Sequence, residues 1–334
     1  VTNQGDRPHQ LGTCIAEKVR SMALFDKLKG MLGKGDKPVD DADEPKDVAQ
    51  VGFQKKKLDV GKRFEFETQA ASGTMSKFRG VREIKTGRMM GLKFIDVEKL
   101  KFFEDRFKGL NKPSEGEIGM KLNHKRIVKT YEYGFTLQNE PYILMEYVPG
   151  SGLSALLYEE SPLLKGFRLD LIRQMAEGID AVHNAGFIHR DVCPRNFICN
   201  EDASWLKLID FGLTVPDLPE FRQPGNRTGT PLYMAPEIVR RRNTDKRVDI
   251  FAFGVTCFRL ITNEHPWSSG GDTSGNAALA HDSSEPKDIF ELSPKLNRTL
   301  GEAIQQCIEP DPDRRPDTLE IFLRTIRRVT KLED

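Results

Sequence analysis

Residues 189–196 read His189-Arg190-Asp191-Val192-Cys193-Pro194-Arg195-Asn196, and a short connection leads on to Asp210-Phe211-Gly212. Each piece alone is weak, since an isolated Asp before Phe-Gly is usually a turn residue. Their setting gives them weight. Upstream, Leu171, Ile172, Met175, Ile179 and Val182 trace one face of a helix predicted over 169–183. Downstream, 248–262 is apolar almost all round, the pattern of a buried helix. Helical periodicity dominates from residue 153 onward.

Further out towards the N-terminus the period changes. Short stretches rich in Phe, Val, Ile and Met at 64–69, 77–84, 89–96, 127–135 and 141–147 read as strands, punctuated by Ser72-Gly73 and Thr86-Gly87-Arg88 turns. Strands first and helices later predict an α+β fold with a β-rich N-lobe over 61–148 and a mostly helical C-lobe over 149–330. Residues 1–60 read as a charged tail. Within it Lys34–Lys62 mixes Lys with Asp and Glu around Pro38 and Pro45, a flexible linker that buries too little apolar area to fold alone. Before the linker, Leu24, Phe25, Leu28, Met31 and Leu32 fall at helical spacing in residues 22–32. Such a helix either meets a membrane surface or a regulatory partner, or docks on the folded domain. Val1 in first position fits a fragment or a non-Met start, and Met22 is an alternative start. The segment 268–286, rich in Ser, Gly, Asp and Ala, reads as an exposed loop.

Composition sets the outer bounds. The 334 residues carry 51 Lys+Arg against 50 Asp+Glu, a formal charge of +1, so net charge makes no case for nucleic-acid binding. No apolar run approaches the ~18 residues needed to cross a bilayer, and no signal-peptide pattern opens the chain. The five cysteines, Cys14, Cys193, Cys199, Cys257 and Cys307, are scattered without a CxxC pair. That favours reduced thiols and a cytoplasmic location over a disulfide framework or zinc site.

Other fragments accompany the opening stretch in a fixed order: Met90-Gly91-Leu92-Lys93, Leu122-Asn123-His124, Tyr142-Ile143-Leu144-Met145-Glu146-Tyr147-Val148, Thr228 through Ala235-Pro236-Glu237, Asp249 to Gly254, and Asp313-Arg314-Arg315-Pro316. Together they resemble the protein-kinase family in its eukaryotic-like serine/threonine branch, over about residues 64–330. The resemblance implies a bilobal fold and ATP-dependent phosphorylation of Ser/Thr hydroxyls on protein substrates, with Mg²⁺ or Mn²⁺ as the metal.

It also implies roles. Asp191 accepts or orients the substrate hydroxyl proton, and Asp210 and Asn196 supply oxygen ligands to the metal. Lys93 neutralises the α/β-phosphates and needs an acidic partner, for which Glu115 is the expected residue and Glu117 the fallback. Ser114 with Glu117 forms a capping box that puts Glu115 in a first helical turn. Gly116 and Gly119 each weaken that helix by roughly 1 kcal/mol, which predicts a mobile regulatory helix. Met145 stands as gatekeeper behind adenine, and the backbone of Glu146 and Val148 meets its edge. His189 is a structural hydrogen-bonding residue, and Glu237 with Arg315 a buried ion pair.

Two departures concern the phosphates. The glycine-loop positions are Ala71, Gly73 and Ser76, with Phe78 where the family has Val, so only the middle glycine survives and a looser loop with weaker nucleotide affinity is expected. Cys193 occupies the position where serine/threonine kinases carry Lys, and Arg195 is a partial substitute facing the γ-phosphate. Cys193 itself reads either as a reactive, partly exposed thiol or as an inert small residue. Thr228, then Thr214, are the candidate phosphosites, with Arg190 and Arg227 as phosphate partners. The departures keep a second reading open, a pseudokinase that binds nucleotide or a partner without useful catalysis. A third, a small-molecule kinase, is disfavoured by the complete Thr228–Glu237 segment.

Overall fold

A computed structural model of the chain describes residues 52–69, 71–72, 76–224, 228–268, 281 and 284–333. The helix expected at 22–32, Gly73, Arg227, Cys14 and much of the loop expected at 268–286 lie outside the described residues.

The N-terminal half is a mixed sheet. Its strands are β1 (Gly52–Leu58), β2 (Phe64–Phe66), β3 (Ala71–Ser72), β4 (Ser76–Glu83), β5 (Met89–Ile95), β6 (Thr130–Thr136) and β7 (Pro141–Glu146). They run in the order β1-β6-β7-β5-β4-β2, with β3 beside β4. All pairings are antiparallel except β1 with β6, which is parallel. The five strands expected from composition appear within a few residues of their predicted limits.

β1 corrects the linker expectation, since it and the short helix α1 (Val60–Arg63) fall inside Lys34–Lys62. Three consecutive lysines hid the strand. It is an edge strand, where charged side chains are compatible with pairing and discourage further chain addition. Two apolar residues anchor it: Phe53 meets the Tyr133 ring at 5.4 Å, and Leu58 is buried. β1 and α1 belong to the same compact unit as the rest of the sheet.

Two helices lie between β5 and β6. α2 (Val97–Glu104) starts at an Asp96 cap. α3 (Glu115–Lys121) starts at Ser114 with both halves of the expected capping box formed. The glycines of α3 have a different task from the mobility expected of them. A Cβ at Gly116 would collide with the Tyr133 ring and one at Gly119 with Thr130, so they let the helix lie flush on β6.

The C-terminal half is built on α4 (Leu153–Tyr158), α5 (Arg168–Asn184), α6 (Pro236–Val239), α7 (Arg247–Thr262), α8 (Ile289–Leu292), α9 (Arg298–Cys307) and α10 (Leu319–Thr325). The predicted stripe on α5 is fully buried, from Leu171 to Val182, and α7 is buried nearly all round. Each such aliphatic side chain contributes roughly 1.5–3 kcal/mol when removed from water. Four short strands, β8 (Phe187–Ile188), β9 (Phe197–Cys199), β10 (Leu206–Leu208) and β11 (Val215–Pro216), pair as β9–β10 and β8–β11. The segment after α3 grips this half directly: Val128 N–H donates to Leu208 O at 3.0 Å, and Leu208 N–H to Arg126 O at 2.8 Å. A β-rich lobe thus sits on a helical one, the α+β bilobal arrangement expected.

Candidate active site

The two small hairpins bring the opening stretch together. β9 and β10 put Asn196 and Asp210 side by side, and Ile209 N–H donates to Asn196 O at 2.9 Å. β8 and β11 do the same for the residues around His189 and Thr214. Arg190 (φ 67°) and Asp210 (φ 66°) both hold left-handed backbone, a conformation that costs a non-glycine residue on the order of 1 kcal/mol or more. For Arg190 the neighbouring contacts enforce it. Asp249, buried on α7, accepts the N–H of His189 at 2.7 Å and of Arg190 at 2.8 Å, and pairs with His183 Nε2 at 2.9 Å. Burial pushes the Asp249 carboxyl up, but His183 and these donors outweigh it and hold it below the usual carboxylate range.

On the sheet side, Lys93 projects from β5 and is buried. Its ammonium donates to Glu115 Oε1 at 2.5 Å and to Asp210 Oδ1 at 2.9 Å. Glu115 is therefore the partner, and the fallback Glu117 instead caps α3 through Ser114 N–H at 2.7 Å. Burial pulls the Lys93 ammonium down, yet the two carboxylates more than reverse this and keep it charged. One cation shared by two carboxylates treats them unequally. Asp210 falls below the ordinary range through Lys93 and the Gly212 N–H despite its burial, whereas burial beside Asp210 pushes Glu115 up. Phe211 N–H also donates to Glu115 Oε1 at 3.3 Å, so α3 and the Asp210 turn share one carboxylate.

On the helical side, Asp191 is the centre. Its Oδ1 accepts the Thr230 N–H at 2.8 Å and the Thr230 hydroxyl at 2.7 Å, and its Oδ2 accepts Asn196 Nδ2–H at 2.9 Å. Burial raises the Asp191 pKa, helped by the Asp210 charge and opposed by these donors. Arg195, exposed, donates from Nη2 to the Thr230 hydroxyl at 2.8 Å. Thr230 is the residue that motif reading undervalued. It appeared only as part of the substrate-loop pattern, whereas it touches Asp191 and Arg195 and lies 3.5 Å from Cys193 Sγ.

Two expectations are corrected here. Cys193 is fully buried, and burial with the nearby Asp191 charge pushes its thiol up, so the reactive, partly exposed reading fails. Thr214 is also fully buried, with its hydroxyl directed at His189 O, and is not accessible for phosphorylation in this conformation.

The hinge residues end β7. Met145 stands opposite Gly91 on β5. The Glu146 side chain turns to the helical lobe, accepting Lys207 Nζ at 2.7 and 2.8 Å and Lys129 N–H at 3.1 Å. Val148 is buried just beyond. Ser76 opens β4, and Phe78 pairs with Ala71 of β3. Near the end of the chain, Arg315 grips Glu237 through two hydrogen bonds of 2.7 and 2.9 Å, the ion pair expected.

Comparison with known proteins places the chain in a family. A family profile described as protein kinase domain matches residues 64–324. Serine/threonine-protein kinase pkn3 of Myxococcus xanthus is 27% identical over 282 residues, covering 81% of this chain and 51% of that protein. Hormonally up-regulated neu tumor-associated kinase of Homo sapiens is 28% identical over 260 residues, covering 77% of this chain and 35% of that protein. The chain thus spans about half or less of the length of these relatives. With the match running from β2 into α10 and the Lys93, Asp191 and Asp210 constellation inside it, the chain belongs to the protein kinase family, in its eukaryotic-like serine/threonine branch.

Proposed function

We propose that this chain transfers the γ-phosphoryl group of Mg-ATP to Ser/Thr hydroxyls of protein substrates. The observation that carries the reading is the buried Lys93 ammonium held jointly by Glu115 and Asp210. Phosphoryl transfer asks a protein mainly for positioned charge, and a buried cation flanked by two carboxylates supports that reading. Asp210 and Asn196 are suitable oxygen donors for Mg²⁺ or Mn²⁺, which when bound neutralises charge on the transferred group. Lys93 binds the phosphates. Asp191, its pKa raised by burial, orients the acceptor hydroxyl and takes its proton, while Thr230 and Asn196 hold the carboxylate in place. Arg195 brings a cation to the position that Cys193 leaves neutral. Ala71, Gly73, Ser76 and Phe78 cover the nucleotide, and Met145 with the backbone of Glu146 and Val148 holds the base.

The division into a lobe over 61–148 and another over 149–330 belongs to the same proposal. So does a cytoplasmic setting, which rests on the scattered thiols. No helix among the described residues is long and apolar enough to cross a membrane.

Cys193 and the two lost loop glycines favour a second reading, a nucleotide-binding pseudokinase. One assay separates the two. The full chain is incubated with labelled ATP, Mg²⁺ or Mn²⁺ and a generic protein substrate, beside Asp210→Asn and Lys93→Met. Incorporation well above both variants is expected. Incorporation equal to theirs, with an ATP-induced thermal shift retained, would assign the pseudokinase reading.

A further inference from the structure

The cleft face of the sheet carries an unusual exchange of volume. Across β4, β5 and β7 one row of directly opposed residues is Phe78, Lys93 and Ile143, and the next is Gly80, Gly91 and Met145. Opposed residues, and those two apart on a strand, project from the same face. Lys93 reaches Glu115 and Asp210 from that face, so it is the face that looks into the cleft. Two of the three positions in the second row have no side chain.

The Phe78 ring fills the space at Gly91, while Thr68 and Tyr147 close on Gly80. A Cβ at Gly91 would stand 2.7 Å from Phe78 Cε2, 3.0 Å from Cζ and 3.1 Å from Met145 Cγ. The first separation is shorter than real Cβ contacts reach and the other two are tight, and the obstructing atoms belong to an aromatic ring and to a methionine methylene close to its backbone. Phe78 is also packed against the apolar core, which limits where the ring can go. The family motifs have Val and Ala at the positions of Phe78 and Gly91. This chain has enlarged one and emptied the other, so the larger ring lies where the smaller pair of side chains would have met.

We propose that Phe78 and Gly91 form a matched nucleotide-binding pair, in which the ring seated on Gly91 is the aromatic surface that packs on the base of a purine nucleotide. The proposal rests on the nucleotide reading above, since phosphates bound at Lys93 bring the base over the Gly91–Met145 row. An aromatic face against a planar base is a favourable contact that tolerates differences between bases. A methyl at residue 91 drives the ring off its seat and into the base's space.

The test is a double-mutant cycle on the full chain, with binding of the non-hydrolysable ATP analogue AMP-PNP measured by calorimetry in the presence of Mg²⁺. Gly91→Ala alone is expected to weaken binding about tenfold or more. The same substitution in a Phe78→Val background is expected to change binding by less than threefold, because no ring is left to displace. An equal loss in both backgrounds, or no loss in either, overturns the pair. If the unmodified chain binds no nucleotide, the functional reading fails and the base-packing role fails with it. The packing is then judged separately by thermal unfolding without ligand, where Gly91→Ala lowers Tm only when Phe78 is present.

Discussion

The sharpest stability prediction concerns Arg315→Met. Arg315 has five N–H donors, and all five are used: two to Glu237 at 2.7 and 2.9 Å, and one each to Glu309 O at 2.7 Å, Arg247 O at 3.1 Å and Pro310 O at 3.1 Å. Its side chain is 0% exposed and that of Glu237 6%. Its guanidinium carbon also lies 4.8 Å from the Phe251 ring centroid. Methionine fills the space but leaves a carboxylate and three carbonyls buried without these donors. Breaking one side of a buried pair costs about 3–5 kcal/mol. At roughly 2–4 °C per kcal/mol for a domain of this scale, Tm falls by about 6–20 °C. Arg315→Lys recovers little, because an ammonium cannot reproduce the planar fork. The comparison is Arg298→Ala, which removes an exposed i,i+4 pair with Glu302 whose side chains are 79% and 57% exposed. That pair is worth about 0.3–0.5 kcal/mol and is screened by salt. Urea unfolding followed by circular dichroism at low and high NaCl measures both. An Arg315→Met loss no larger than that of Arg298→Ala, or one that vanishes at high salt, would refute the reasoning.

Three further outcomes follow from the geometry. Gly116→Ala should cost about 1–3 kcal/mol through overpacking against Tyr133, despite the better helix propensity of alanine, and should lower kinase activity by displacing Glu115 from Lys93; unchanged melting and activity would contradict the close approach. His265 is held down to about 4, by burial first and then by Arg259, His281 and Lys287. Its folded pKa is below the unfolded value of about 6.5, so its contribution is full above pH 6.5 and is lost as the pH falls towards 4. Between pH 7 and 5 the loss amounts to about 2 kcal/mol, and a His265→Phe variant with an unchanged pH slope would dismiss it. Finally, Cys193, Cys199, Cys257 and Cys307 are all buried free thiols. Mass mapping after brief alkylation at pH 7.5 should find them unmodified until the chain is unfolded, and labelling of Cys193 in the native protein would restore the reactive reading.

Motif order made the kinase fold legible, because each fragment there is a local solution to a local demand. The capping box at Ser114 and Glu117 is spelled within four residues. The stripe on α5 follows the helical period. Glu115 follows from the family resemblance, as the acidic partner that Lys93 needs. Where the reading failed, the cause was non-local. β1 contains three lysines and no apolar run, and only its parallel partner β6 makes it a strand. Gly116 and Gly119 look like helix breakers until Tyr133 and Thr130 are set against them. Thr214 looks like a phosphosite until β8 and β11 pair and bury it.

From residue types and their order alone come the family, the two-lobe order and the proposed site residues Lys93, Glu115, Asp191, Asn196 and Asp210. Their chemistry is carried by residue type, and their order along the chain is preserved in the motifs. Only the tertiary structure decided that Cys193 is sealed, that Thr230 clasps Asp191, and that the Phe78 ring rests on Gly91. Burial and side-chain approach are properties of segments distant in sequence, brought together by packing, and a one-dimensional pattern does not contain those distances.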